Sequence, residues 1–277
     1  MFLTERTTTQ GIGLARFPGW VLLSVMLWAS FLWAPSVSAQ GTQFDAYALV
    51  ESFTWEEFAE GERLLKESGP LFGIGGSAQF QVYRQLTLKG RLELFGGQVN
   101  YNGETWEGDP VTTDANYFGT KSEVDAGWEF LFRETLSLEP FGGLGWRYWL
   151  RDLEDTHEAS GYLEEWNSLY ARVGARGDYR FTPRFKVFAE ASLKLPFYNE
   201  NRAHLSDVGL EDVTVRPGNK PSFYAEMGLK YSVLRLAVFY EGLRFSKSDV
   251  VHADHDIGVY QPESSADIFG LNVGVSF

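Results

Sequence analysis

FGLNVGVSF, residues 269–277, is the stretch whose reading decides the fold. Phe269, Leu271, Val273, Val275 and Phe277 fall on one parity, and Gly270, Asn272, Gly274 and Ser276 on the other. A period of two is that of a β-strand with unlike faces. One face is wholly apolar, and it can be turned toward a protein core or toward lipid. A run of this kind ending on an aromatic residue at the last position favours lipid.

The same alternation recurs upstream. Phe72, Ile74, Ala78, Phe80 and Val82 oppose Gly73, Gly75, Ser77, Gln79 and Gln81. Leu86, Leu88, Leu92 and Leu94 oppose Thr87, Lys89, Arg91 and Glu93, and Val124, Ala126, Trp128, Phe130 and Phe132 oppose Glu123, Asp125 and Glu129. Five further strands begin near Leu136, Leu169, Phe185, Phe223 and Leu234. FDAYALVESFTW, residues 44–55, is strand-like, but both of its parities are largely apolar and its facing stays open. Counting it, the chain carries about ten strands, within the range of bacterial membrane barrels.

The connections test this without using hydrophobicity. Short linkers at 83–85, 133–135, 180–184 and 232–233 alternate with long ones at roughly 56–70, 102–119, 152–165, 199–220 and 246–263. Alternation of tight periplasmic turns with longer extracellular loops is a membrane-barrel pattern. A soluble barrel would turn its charges outward. Here the polar parity is rich in Gly and Ser, which suits a narrow lumen. Trp128, Trp146, Tyr148, Tyr179, Tyr231 and Tyr240 lie on the apolar parity, where interfacial aromatics belong.

The N-terminus reads as a targeting segment. WVLLSVMLWASFLWAP, residues 20–35, is an apolar run of signal-peptide size, and Val37 and Ala39 precede an expected cleavage between Ala39 and Gln40. Residues 1–39 are thus a signal peptide, and residues 40–277, roughly 240 in number, form one exported barrel domain. No later segment is apolar enough for a membrane helix, so membrane residence requires a closed barrel. The absence of cysteine excludes disulfides, thiolate metal sites and a cysteine nucleophile, and a net charge of −13 argues against nucleic acid as a partner.

On these features the chain resembles the outer-membrane β-barrel proteins of Gram-negative bacteria. The resemblance implies an all-β, transmembrane, antiparallel up-and-down barrel in the outer membrane. Lipid and lipopolysaccharide are its expected surroundings, and Phe277 looks like the terminal signal read by the barrel-assembly machinery.

With the apolar parity facing lipid, the lumen receives Lys89, Arg91, Glu93, Glu123, Asp125, Glu129, Glu139, Arg147, Arg151, Arg172, Arg176 and Asp178. It also receives Lys186, Glu190, Lys194, Glu226, Lys230, Arg235 and Glu241, giving near-neutrality. The strand of Glu123, Asp125 and Glu129 lies between that of Lys89 and Arg91 and that of Arg147 and Arg151, so acid is expected to face base across the ladder. About ten strands enclose a bore that side chains nearly fill, whereas open pores belong to about 16 or more. A salt-bridged plug is expected, with a narrow path for ions or small solutes as the alternative.

Unbalanced acid sits in the long connections, as at Asp152, Glu154, Asp155, Glu158, Glu164 and Glu165. The HADHD run, residues 252–256, gathers His252, Asp254, His255 and Asp256 but has no scaffold that would make it a metal site. Asp155-Thr-His157 resembles the Asp-x-His half of the omptin outer-membrane proteases. Asp109 and Asp114 do not reproduce that family's acidic pair, and the dyad falls in the third long loop rather than the fourth. No catalytic constellation or cofactor is expected. The expected role is structural or surface contact, with a porin-like channel and a lip-sited protease as alternatives and the extracellular partner unknown.

Overall fold

A computed structural model describes residues 42–105, 108–133, 135–157, 159–254 and 257–277. The expected signal peptide and cleavage site lie outside the described residues, as do His255, Asp256 and Glu158.

Ten antiparallel strands form the wall: β1 (Gln43–Ala59), β2 (Glu62–Tyr83), β3 (Leu86–Glu104), β4 (Pro110–Trp128, resuming as Phe130–Phe132), β5 (Leu136–Leu153), β6 (Leu163–Thr182), β7 (Phe185–His204), β8 (Ser222–Tyr231), β9 (Leu234–Ser246) and β10 (Glu263–Ser276). Each pairs with its sequence neighbours, and β10 pairs with β1 from Asp45↔Ser276 to Phe58↔Glu263, which closes the barrel and leaves no edge. Phe44 and Phe277 exchange backbone hydrogen bonds of 3.0 and 2.8 Å, so both ends of the wall meet on the side of the short turns.

At membrane height the apolar parity faces outward. Phe72, Ile74, Leu94, Val124, Leu144, Leu193, Met227, Val238, Leu271 and Val273 are all exposed. Tyr83, Trp128, Phe130, Tyr179, Phe181 and Tyr231 ring the periplasmic edge of this belt, while Phe72, Phe118, Phe197, Phe223 and Phe269 ring the other.

The wall is taller than a bilayer. β2 runs for 22 residues, about twice the 9–11 that a membrane strand needs. Segment 56–70, read as a loop from sequence, is therefore wall: β1 and β2 continue to a two-residue turn at Glu60 and Gly61, both with positive φ. Above the belt the outer surface becomes polar. Gln98 and Asn116 each donate to the Glu154 carboxylate at 2.8 and 2.9 Å, and Asn100 donates to Asp114 at 2.9 Å. β8 is short, and the connection after β7 supplies the missing wall by pairing Val213–Val215 with β7 and Gly218–Asn219 with β9. Ala203, Leu205, Val213 and Ala253 bury one another, with Tyr162, Val208 and Val259 packed around them, in a second cluster beyond the upper ends of the strands.

Candidate functional site: a filled lumen

The lumen has two levels. At membrane height its wall carries Lys89, Arg91, Lys121, Arg147, Arg172, Arg176, Lys194, Lys230 and Arg235 against Asp45, Glu51, Glu93, Glu123, Asp125, Glu139, Glu190, Glu226 and Glu241. All are buried except Lys89, which is nearly so. Glu190 is the lower hub, 2.8 Å from Lys89, 2.5 Å from Arg172 and 3.4 Å from Arg91. Glu241 is the upper hub, 3.0 Å from Lys121, 3.1 Å from Arg147 and bonded to Lys194. Arg172 also binds Glu123 and lies 3.6 Å from Asp125, and Arg176 lies 3.1 Å from Asp125 and 2.7 Å from Glu139.

These pairs mostly reach across the bore instead of along the ladder. Arg91 and Glu123 are register partners 3.7 Å apart, as adjacency suggests. Arg147, however, goes to Glu241 on β9, and Lys121 goes both to Glu93 on β3 at 2.5 Å and across to Glu241. The bore is narrow enough for opposite walls to touch, and a charge shared among several partners is better compensated than one held by a single neighbour. Glu129 is not part of this lattice. It sits at the break in β4, where its backbone N–H donates to Gln85, and it lines a cavity at the periplasmic end. Asp178 and Lys186, 3.4 Å apart, lie at the same end.

Above the belt the lumen is aromatic. Trp149 and Trp166 stack at 5.1 Å with an 8° interplanar angle, Trp55 meets Trp166 edge-on at 5.2 Å, and Phe245 lies 5.3 Å from Trp166. Phe53 and Tyr117 pack beneath at 4.8 Å. One cation enters this core. Arg151 holds Glu67 through Nε at 2.8 Å and Glu164 through Nη1 at 2.9 Å, with Glu57 at 3.5 Å. The Trp55 and Trp166 indole N–H groups donate to Glu57 and Glu164 at 2.9 and 2.8 Å, and Tyr117 donates to Glu67. Three carboxylates thus share one guanidinium in a fully enclosed site. Burial raises the Glu67 carboxyl, with Arg151 and Tyr117 offsetting only part of the effect. At Glu164 burial is outweighed by Arg151 and the Trp166 N–H, and its carboxyl is held below the usual range.

Sequence reasoning did not find this upper core. Trp149 stands on the polar parity of its strand, Glu67 and Glu164 lay in segments read as loops, and the inward Tyr47, Leu49, Phe53 and Trp55 are what left the facing of β1 undecided. Gly270, on the polar parity, faces the lumen. It seats an aromatic ring, since a Cβ there would lie 2.2 Å from Phe239.

The omptin-like residues have local partners. Asp155 accepts the Gly161 N–H at 2.8 Å and closes its own loop, Asp114 is held by Asn100, and the backbone N–H of Asp109 bonds Thr105 Oγ1 at 3.1 Å. No hydrogen bond joins Asp155 or His157 to Asp109 or Asp114 among the described residues. His252 and Asp254 lie on a small hairpin paired with Ile257–Val259, and no cluster of metal-ligating side chains is present among the described residues.

A closed ten-stranded barrel with a lipid-facing apolar belt and a charged interior defines an integral outer-membrane β-barrel protein. The chain belongs to the autotransporter β-domain family, whose model matches residues 71–240. Among solved structures it is similar to the outer membrane protease OmpT from Escherichia coli, at 11% identity over 88% of this chain and 98% of that one, with a TM-score of 0.57. It is also similar to the translocator domain of autotransporter NalP from Neisseria meningitidis, at 11% identity over 93% and 96% of the two chains, with a TM-score of 0.43. The β-domain of the Bordetella autotransporter BrkA shares 12% identity over 82% and 98%, with a TM-score of 0.40. These likenesses concern the fold. No curated protein matches the chain.

Proposed function

We propose that this protein is a closed, non-conducting outer-membrane barrel that serves as a rigid platform, with its tall extracellular wall and loop cap as the working surface. The observation that carries this reading is the lumen. Cross-bore ion pairs fill it at membrane height, and the stacked Trp55, Trp149 and Trp166 fill it above. A ligand path would need these side chains hydrated or displaced, and each is buried.

In this reading the chain is exported with cleavage between Ala39 and Gln40. The assembly machinery recognises the strand ending at Phe277, and lipopolysaccharide surrounds the upper belt. The amide and carboxylate rows around Asp114, Asp152 and Glu154 are the face offered to an extracellular partner. Purified protein in planar bilayers tests the closed state: insertion without conductance steps is expected. Reproducible steps that disappear when Arg172 is changed to Ala would overturn it in favour of a narrow channel.

A further inference from the structure

The plug does not reach the periplasmic end. There the bore opens into a cavity of about 330 Å³, which adjoins a second of about 320 Å³ at the rim; the two share Gln43, Arg180, Lys186 and Lys230. The first is of a size that holds a small molecule.

The charge on the rim is one-sided. Arg180, Arg184, Lys186 and Lys230 line the outer cavity, whose described lining holds no Asp or Glu; Lys186 lies 3.4 Å from Asp178 and Lys230 2.6 Å from Asp45, both on the inner cavity. Deeper in, Asp45 serves two cations, Lys230 at 2.6 Å and Arg235 at 3.8 Å. Arg235 is 95% buried, its guanidinium held between the rings of Tyr47 and Phe188 at 4.9 Å from each. Its Nη2 binds Glu226, but Nη1 and Nε have no hydrogen-bond acceptor. A planar, oriented guanidinium with unmet N–H groups, at the back of a pocket with a basic entrance, is suited to an anion's oxygens. The entrance would also steer anions inward. The inner cavity also carries carboxylates, and these are engaged by neighbours: Glu139 by Gln79, Thr87 and Arg176, Glu190 by Lys89 and Arg172, and Glu226 by Arg91 and Arg235, while Glu129 lines the far wall.

We infer that the periplasmic vestibule is a binding site for a phosphate-bearing small molecule or headgroup, held by Arg235 and Lys230 and drawn in by Lys186, Arg184 and Arg180. Phosphate fits better than a single carboxylate because it brings up to two charges and several acceptor oxygens to a cluster of cations. The site draws on Lys230 and Arg235 at the periplasmic end of the ion-pair lattice, and phosphate binding is read separately from the conductance that tests the closed lumen.

Titration calorimetry of the full barrel with inorganic phosphate, in a neutral detergent, is the test. Saturable binding is expected, weakened at least ten-fold in Arg235→Gln and several-fold in the rim double variant Arg184→Gln, Lys186→Gln, in which Arg184 is exposed and Lys186 is half-buried beside Asp178. Lys220→Gln, on the extracellular side, should bind as the wild type does. Absence of saturable heat, or wild-type affinity in the folded rim variant and in Arg235→Gln, would overturn the site. Repeating the titration in vesicles of phosphatidylcholine with and without phosphatidylglycerol identifies the source. Phosphate affinity lowered by phosphatidylglycerol supports a headgroup ligand, and unchanged affinity supports a soluble one.

Discussion

The two levels of the lumen solve the same packing problem differently. At membrane height, nine cationic and nine carboxylate side chains line the bore, and among the described residues all but Glu51 lie within 4 Å of an opposite charge. Above the belt one cation meets three carboxylates, and indole and phenol rings do the filling. The lower level tolerates charge by stoichiometry. The upper level is apolar, and its charge is tolerated only through one guanidinium and the N–H and O–H groups of Trp55, Trp166 and Tyr117.

That contrast is most exposed at Arg151. Arg151→Met strands Glu57, Glu67 and Glu164 together, and a loss of about 5 kcal/mol is expected, the upper end of the cost of leaving a buried charge unpaired. Without Arg151 the carboxyl groups are easier to protonate in the folded than in the unfolded chain. The loss should therefore shrink as pH falls from 8 to 5 in urea unfolding from vesicles. A loss independent of pH would mean that the upper core does not depend on its single cation.

Trp166→Ala probes the apolar half of the comparison. Deleting a fully buried tryptophan that touches Trp55, Trp149 and Phe245 should cost about 4 kcal/mol. The same unfolding assay should show almost no salt dependence in that loss. A change under about 1 kcal/mol would show that the aromatic stack is filler, with the lattice below carrying the stability.

The smallest effect separates two carboxylates of the same cluster. Glu67 is raised in the fold, so its contribution to stability grows as pH falls through its folded value and is lost as pH rises. Glu164 is depressed, so its contribution is present at neutral pH and is lost only as pH falls below the usual carboxylate range. Glu67→Gln should differ from the wild type by under about 1 kcal/mol, with the difference moving in the variant's favour from pH 5 to pH 8. Glu164→Gln should be destabilised across that window without such a shift. Parallel pH profiles for the two variants would remove the distinction between them.

How much of this was legible follows from where the interior is polar. At membrane height the lumen is charged and the outside is lipid, so Lys89, Arg91, Glu123, Arg172 and Glu190 alternate with Leu88, Leu92, Val124, Val173 and Ala191 and can be assigned by parity. Higher up, the inside turns aromatic while the outside turns to amides and acids, and the contrast fades or reverses. Hence β1, with Phe53 and Trp55 inside and Val50 outside, had no readable facing, and Glu57, Glu67 and Glu164 passed for loop residues. Glu129 was assigned to the lattice by parity, but the interruption after Trp128 sets it at the vestibule.

The sequence by itself determined the strand number, the lipid-facing belt and the near-neutral charge of the membrane-level lumen. All of these depend on local period and on composition. Only the tertiary structure decided that Arg147 pairs with Glu241 and not with the neighbouring strand, that 56–70 is wall, and that three tryptophans close the top. The reason is geometric: closing ten strands brings residues far apart in the chain to face each other across a narrow bore, and no periodicity along one strand records who stands opposite.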